Sequence, residues 1–253
     1  MSYTVAVCGK GGTGKTTFTA LFIQQLLKAH QDKSVLAVDA DPNANLDQAL
    51  GVRSEESIVG IVDEISKNPS TIPSGTTKDR YLQYRLQEAV VEGKGFDLLV
   101  MGRPEGPGCY CFVNNLLRTL IDKLSKGYDY LVIDNEAGME HLSRRTTRKI
   151  DTLFVVSDYS IVGLRSAQRI LELVKELDIQ VKQKRLVINR APENAGALKK
   201  EIEKIAIPLA GVIPHDEQVM AISVKNADLS ALSEKSKAAQ AVRKIYEGEA
   251  YAA

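Results

Sequence analysis

The stretch VAVCGKGGTGKTT, residues 5–17, constrains the fold more than any other part of this chain. Gly9 to Thr16 fits G-x-x-x-x-G-K-[ST], in which a glycine-rich backbone points several N–H groups at a polyphosphate, the lysine reaches its outer oxygens and the hydroxyl holds Mg2+. Val5 to Cys8 supplies the strand before the loop. Phe18 to Lys28 supplies the helix after it, whose N-terminal partial positive charge favours anions. The motif therefore assigns Gly11, Gly12, Thr13, Gly14, Lys15, Thr16 and Thr17 to a nucleotide's phosphates, with Thr16 on the magnesium. A second lysine, Lys10, is more than an ordinary phosphate loop needs.

A chain of 253 residues with 44% hydrophobic content can bury a large core, and the expectation is one α/β domain over residues 1–253. A net charge of +1 gives no argument for bulk nucleic-acid binding, and 26% charged residues without a low-complexity segment suit a globular protein. The N-terminus runs directly into a strand, with no basic segment and signal-type apolar run, and no stretch of about 18 consecutive apolar residues occurs. A cytoplasmic protein with neither a nucleic-acid nor a membrane partner is expected. Three cysteines are too few for a disulfide scaffold at this length, so each is considered as a thiol.

Apolar runs rich in Val, Ile and Leu recur at SVLAVDAD, FDLLVMG, YDYLVIDNE, DTLFVVSD, QKRLVINR and LAGVIP. Continuous rather than alternating hydrophobicity suits strands buried on both faces of a parallel sheet. Helical patterns lie between them, at Glu55 to Ser66, Tyr81 to Glu92, Asn114 to Ser125, Leu164 to Leu177, Ala195 to Ile205 and Ser230 to Tyr246. This alternation predicts a doubly wound, mostly parallel sheet with helices on both faces and functional loops at the carboxyl ends of the strands. Residues 67 to 79, KNPSTIPSGTTKD, read as a surface loop.

Asp39 and Asp41 close the second strand in VDADPNANLD, where Pro42 stops the strand. Carboxylates there can reach Mg2+, its water ligands, or the water that attacks a γ-phosphate; taken alone, DADP also fits an Asx turn. Asp134, behind four apolar residues in YLVIDNEAG, stands where a Walker B metal ligand is expected. Glu136, Gly138, Glu140 and His141 then form a polar, glycine-hinged segment suited to a switch.

KGGTGKTT resembles the deviant Walker A motif of the family that includes MinD, ParA and the nitrogenase iron-protein ATPases. The resemblance implies an ATP-sandwich homodimer in which Lys10 contacts the partner's ATP and Lys15 its own, both acting on transition-state charge. It also implies Asp41 in switch I as a catalytic residue and Asp134 in switch II on Mg2+; Asp39, at the carboxyl end of the second strand, is a further Mg2+ candidate. Asn189 in VINR and Pro214, His215 and Asp216 in IPHD would form the adenine site.

GRPEGPGCYCFVNN, residues 102 to 115, places Cys109 and Cys111 in a Pro/Gly loop between a buried strand and a helix, where thiols are accessible. Thiolates are soft ligands for Zn2+, Cu+ or low-coordinate Ni2+, and a twofold dimer joining two such loops offers four of them. A redox pair is the blander alternative. Cys8, inside an apolar strand, is better read as a small buried hydrophobe. CGKGGTGKTT, DADPNANL, GPGCYC and DNEAGMEHL together resemble the CooC-type nickel-insertion ATPases. These mature carbon monoxide dehydrogenase, and close relatives serve acetyl-CoA synthase. That resemblance implies ATP, Mg2+ and Ni2+, with Zn2+ possible in its place, Cys109 and Cys111 as metal ligands at the dimer interface, and one of those two enzymes as client.

Two other classes fit parts of the chain. GRPEGPGC also resembles the cluster-ligand loop of nitrogenase-type reductases, although DNEAGMEHL lacks the second cysteine such a reductase needs. A MinD- or ParA-type spatial organiser is the other, but the C-terminal segment, with Leu232, Val242, Ile245 and Tyr246, reads as a helix packed on its own domain. The basic run Arg144, Arg145, Arg148 and Lys149 fits a solvated helix face or a client-docking surface.

Overall fold

A computed structural model describes residues 2–103, 119–136 and 149–248. Cys109 and Cys111, the switch positions Gly138, Glu140 and His141, and Arg144, Arg145 and Arg148 lie outside the described residues.

Among the described residues, eight strands form one sheet: β1 (Tyr3–Gly9), β2 (Val35–Ala40), β3 (Val91–Glu92), β4 (Phe96–Val100), β5 (Tyr130–Asn135), β6 (Lys149–Asp158), β7 (Gln180–Ala191) and β8 (Leu209–Pro214). Their order is β3-β4-β2-β5-β1-β6-β7-β8. Every neighbouring pair is parallel except β3 with β4. The fold is thus the doubly wound α/β sheet that the sequence pattern predicts.

Both faces are buried, which explains the unbroken apolar runs. Val5, Val7, Val35, Ala37, Val132 and Phe154 pack on one side with α1 (Lys15–Ala29) and α8 (Lys237–Gly248). On the other side, Leu36, Val38, Leu131 and Ile133 meet the helices α3 (Ile58–Lys67) and α4 (Lys78–Glu88). The same face continues through Ala6, Cys8, Leu153 and Val155 under α5 (Ile161–Glu176). Register pairs alternate between the layers in step with the pleat: Val5 with Val132 on one face, Ala6 with Ile133 on the other. Cys8 is fully buried; desolvation pushes its thiol up to about 12, so it is a core residue.

Helix boundaries differ from the sequence reading where capping and turn chemistry override periodicity. Thr77 accepts from Arg80 N and starts α4 at Lys78, and the helix ends at Glu88. Val91 and Glu92, expected inside it, instead form β3, closed by a turn in which Gly93 N donates to Phe96 O at 2.8 Å. The predicted helix Ala195 to Ile205 shrinks to α6 (Lys199–Glu203). The segment Ser230 to Tyr246 is not one helix: a short turn at Leu229–Ala231 precedes α8, whose Ala238, Ala239, Val242 and Ile245 are buried against the domain. Two short helices, α2 (Leu46–Ala49) and α7 (Glu217–Val224), carry no pattern long enough to be seen in sequence. Among the described residues, no helix is long and apolar enough to cross a membrane.

Candidate functional site

β1 lies between β5 and β6, so successive crossovers leave it in both directions and its carboxyl end opens onto the crevice where such sheets bind ligands. The phosphate loop occupies that end. Its peptide at Gly14 has φ 85°, and a Cβ there would collide with the Asn189 amide, so glycine is required on both counts. Lys10 O gathers the Thr13 N–H at 3.3 Å, the Thr13 hydroxyl at 2.9 Å and, at a long 3.5 Å, the Lys15 ammonium. Lys15 is only 6% exposed, whereas Gly11, Gly12 and the Lys10 side chain face solvent. A buried ammonium with so weak a contact is poised for an anion.

Asp39 and Asp134 are register partners on β2 and β5, and both are fully buried. Asp134 accepts the Thr16 hydroxyl at 2.6 Å and the Thr19 hydroxyl at 3.3 Å. Asp39 accepts Leu46 N at 2.8 Å and Asp41 N at 3.1 Å, which fixes the turn between them. Asp41, just beyond β2, is half-buried and closes an Asx turn by accepting Asn43 N at 2.9 Å. Burial pushes the Asp39 carboxyl up to about 7, with the Asp134 charge adding to it. Burial likewise raises Asp134 to about 6, against the Thr16 hydrogen bond and the Lys15 charge.

Two neighbouring carboxylates that resist ionisation are relieved by a divalent cation, and the adjacent Thr16 hydroxyl supplies a neutral oxygen. The donor set therefore fits Mg2+, which Thr16, Asp134 and Asp39 would hold. The pH consequence follows from the direction of the shifts. The unfolded chain releases both protons near the ordinary carboxyl value of 3.8 and the folded chain only at about 6 to 7, so nucleotide-free stability falls as pH rises through that window. We expect the melting temperature of the nucleotide-free protein to drop between about pH 5 and about pH 7.5, and Asp134→Asn to flatten that decline. An unchanged slope in the variant would show that Asp134 does not titrate there.

Beside the loop, a cavity of about 140 Å³ is lined by Thr17, Asn189, Pro214, His215 and Asp216 together with Phe18, Arg190 and Met220. The fold thus gathers the expected adenine residues from the carboxyl ends of β7 and β8, opposite Thr17 of α1. Their local roles are more structural than the sequence suggests. Asn189 donates from Nδ2 to Thr13 O at 2.8 Å, and its Oδ1 accepts Arg190 N at 2.9 Å. Asp216 caps α7 by accepting Gln218 N at 2.8 Å, and its other oxygen accepts Ser236 Oγ at 2.7 Å and Ala238 N at 3.0 Å at the start of α8. Partial burial opposes ionisation of Asp216, but those donors outweigh it and hold its pKa below the usual carboxylate range. His215 is exposed and donates its backbone N–H to Ala191 O at 2.8 Å. Thr19 and Arg190 escaped the sequence reading; Arg190 had a signal only as the neighbour of Asn189, and Thr19 only as a hydroxyl one helical turn after Lys15.

A polyphosphate nucleotide with its cation fits this end of the sheet, and the groups around it suit cleavage of the terminal anhydride: the chain is a P-loop ATPase. Its sequence matches the CobQ/CobB/MinD/ParA nucleotide binding domain over residues 4–229, and the chain belongs to that family. It is 44% identical over 246 residues to an uncharacterized ATP-binding protein of Methanocaldococcus jannaschii, covering 96% of each chain. It is 30% identical to the carbon monoxide dehydrogenase accessory protein CooC of Rhodospirillum rubrum, covering 90% of this chain and 88% of that one. The crystal structure of a ParA family ATPase from Chlorobium tepidum superposes with a TM-score of 0.73 at 25% identity, covering 98% of this chain and 99% of that one.

Proposed function

We propose that this ATPase is a nickel metallochaperone: it dimerises with nucleotide and metal and delivers Ni2+ to a carbon monoxide dehydrogenase or acetyl-CoA synthase. The observation that carries the reading is the Cys109-x-Cys111 pair in a chain 30% identical to CooC over nearly its whole length. Lys15 holds the outer phosphates of the chain's own ATP, and Lys10, exposed on the loop, reaches the partner's. Mg2+, when bound, neutralises phosphate charge. Asp41 orients the attacking water from a turn that Asp39 fixes through Asp41 N and Leu46 N. Cys109 and Cys111 of two chains supply four thiolates for one ion, and hydrolysis loosens the dimer so that the client's site takes the nickel.

The test is an anaerobic Ni2+ titration of the parent and of the Cys109→Ser/Cys111→Ser pair, each with and without ATP. One ion per dimer, lost in the double variant, with an affinity that ATP alters, is the expected result. Two independent ions per dimer, or unchanged binding after both substitutions, would overturn the shared site. A positioning ATPase is the second reading, supported by the fold shared with a ParA family ATPase. It predicts ATP-dependent dimers indifferent to Ni2+ and to both cysteines.

A further inference from the structure

Arg190 is a non-glycine residue with φ 54° inside a strand, at the point where the β7–β8 ladder shifts register between Ile188 and Ala191. Successive strand residues normally point to opposite faces. Here Asn189 and Arg190 both reach the phosphate loop. Asn189 Nδ2 donates to Thr13 O at 2.8 Å and Arg190 Nη1 to Gly12 O at 3.0 Å. The left-handed conformation is unfavourable for an arginine and persists only where its surroundings over-determine it. Two hydrogen bonds to consecutive loop carbonyls, with Asn189 Oδ1 also holding Arg190 N, supply that determination.

The consequence lies in the loop's peptide planes. In a trans peptide the C=O and the following N–H point in opposite directions, so the Arg190 bond to Gly12 O turns the Thr13 N–H the other way, onto Lys10 O at 3.3 Å to close the loop, and the Asn189 bond to Thr13 O turns the Gly14 N–H away from β7. A phosphate loop binds through N–H groups aimed together at the anion, and their orientation must otherwise be found when the ligand arrives. We propose that Arg190, through its bond to Gly12 O, is a positioning residue that sets the phosphate loop in its anion-binding shape before nucleotide enters.

The reading predicts a loss that follows the phosphates and not the nucleoside. Arg190→Gly removes the side chain and accepts φ 54°; Arg190→Ala removes it and keeps the backbone cost. Both variants are expected to raise KM for ATP by about tenfold, and the inhibition constant of inorganic tripolyphosphate by the same factor, while kcat falls less than about threefold. Arg190→Gly should melt at or above Arg190→Ala, so weakened binding in the more stable variant separates positioning from loss of fold. Arg190→Lys, which keeps one donor for Gly12 O, should recover part of the affinity. An unchanged KM in Arg190→Gly overturns the proposal. So does a rise in KM for ATP without any change for tripolyphosphate, which would place Arg190 on the nucleoside, or a loss of kcat at constant KM, which would place it on the reaction itself.

Discussion

Lys15→Ala is expected to lower ATP turnover by about a thousandfold, the largest effect of any single substitution at this site. The ammonium is nearly buried, with a contact of 3.5 Å to Lys10 O, so little in the folded chain competes with a phosphate for it. Its removal acts twice. The phosphates lose their cation, and Asp134 loses the nearby positive charge that opposes the upward push of burial on its pKa. A steady-state phosphate-release assay measures the first effect, and a shift of the residual pH profile to higher pH reports the second. Turnover within about tenfold of the parent would mean that Lys15 does not engage the transferred phosphoryl group.

Asp41→Ala is expected to lower kcat by about a hundredfold or more while leaving ATP affinity within about threefold. Asp41 has two separable properties: its charge, and its Asx turn to Asn43 N at 2.9 Å. Asp41→Asn keeps an oxygen for the turn and removes the charge. If it is as slow as Asp41→Ala in single-turnover hydrolysis, the carboxylate acts on the water. If it recovers the parent rate, the residue only shapes the loop, and the proposed role fails.

Seven of the eight strands were legible because strands covered on both faces are continuously apolar, and a helical pattern follows most of them. β3 was not, since Val91 and Glu92 extend the helical pattern of α4 and only their pairing with Leu98 and Asp97 makes them a strand. α2 and α7 were missed for a similar reason. Each is short; Asp216 caps α7 from within IPHD, and α2 starts at Leu46, whose N–H is held by the Asp39 carboxylate.

The phosphate loop and the assignment of Thr16 and Asp134 to one cation follow from motifs whose local chemistry is the same in any chain that carries them, whereas a place for Asn189 near the nucleotide followed only from the family resemblance. Spacing along a sequence carries no information on which buried carboxylates become neighbours. The pairing of β2 with β5 brings Asp39 beside Asp134, and their shared burial raises both pKa values. The same limit hid Arg190. Its role depends on a register shift and a left-handed residue that turn two successive side chains toward one loop, and both arise from long-range strand pairing. Sequence alone therefore determined the sheet, the loop and the chemistry of the anion site, because these rest on local pattern. Only the tertiary structure decided which charges are buried together and what holds the loop, because those depend on contacts between residues far apart in the chain.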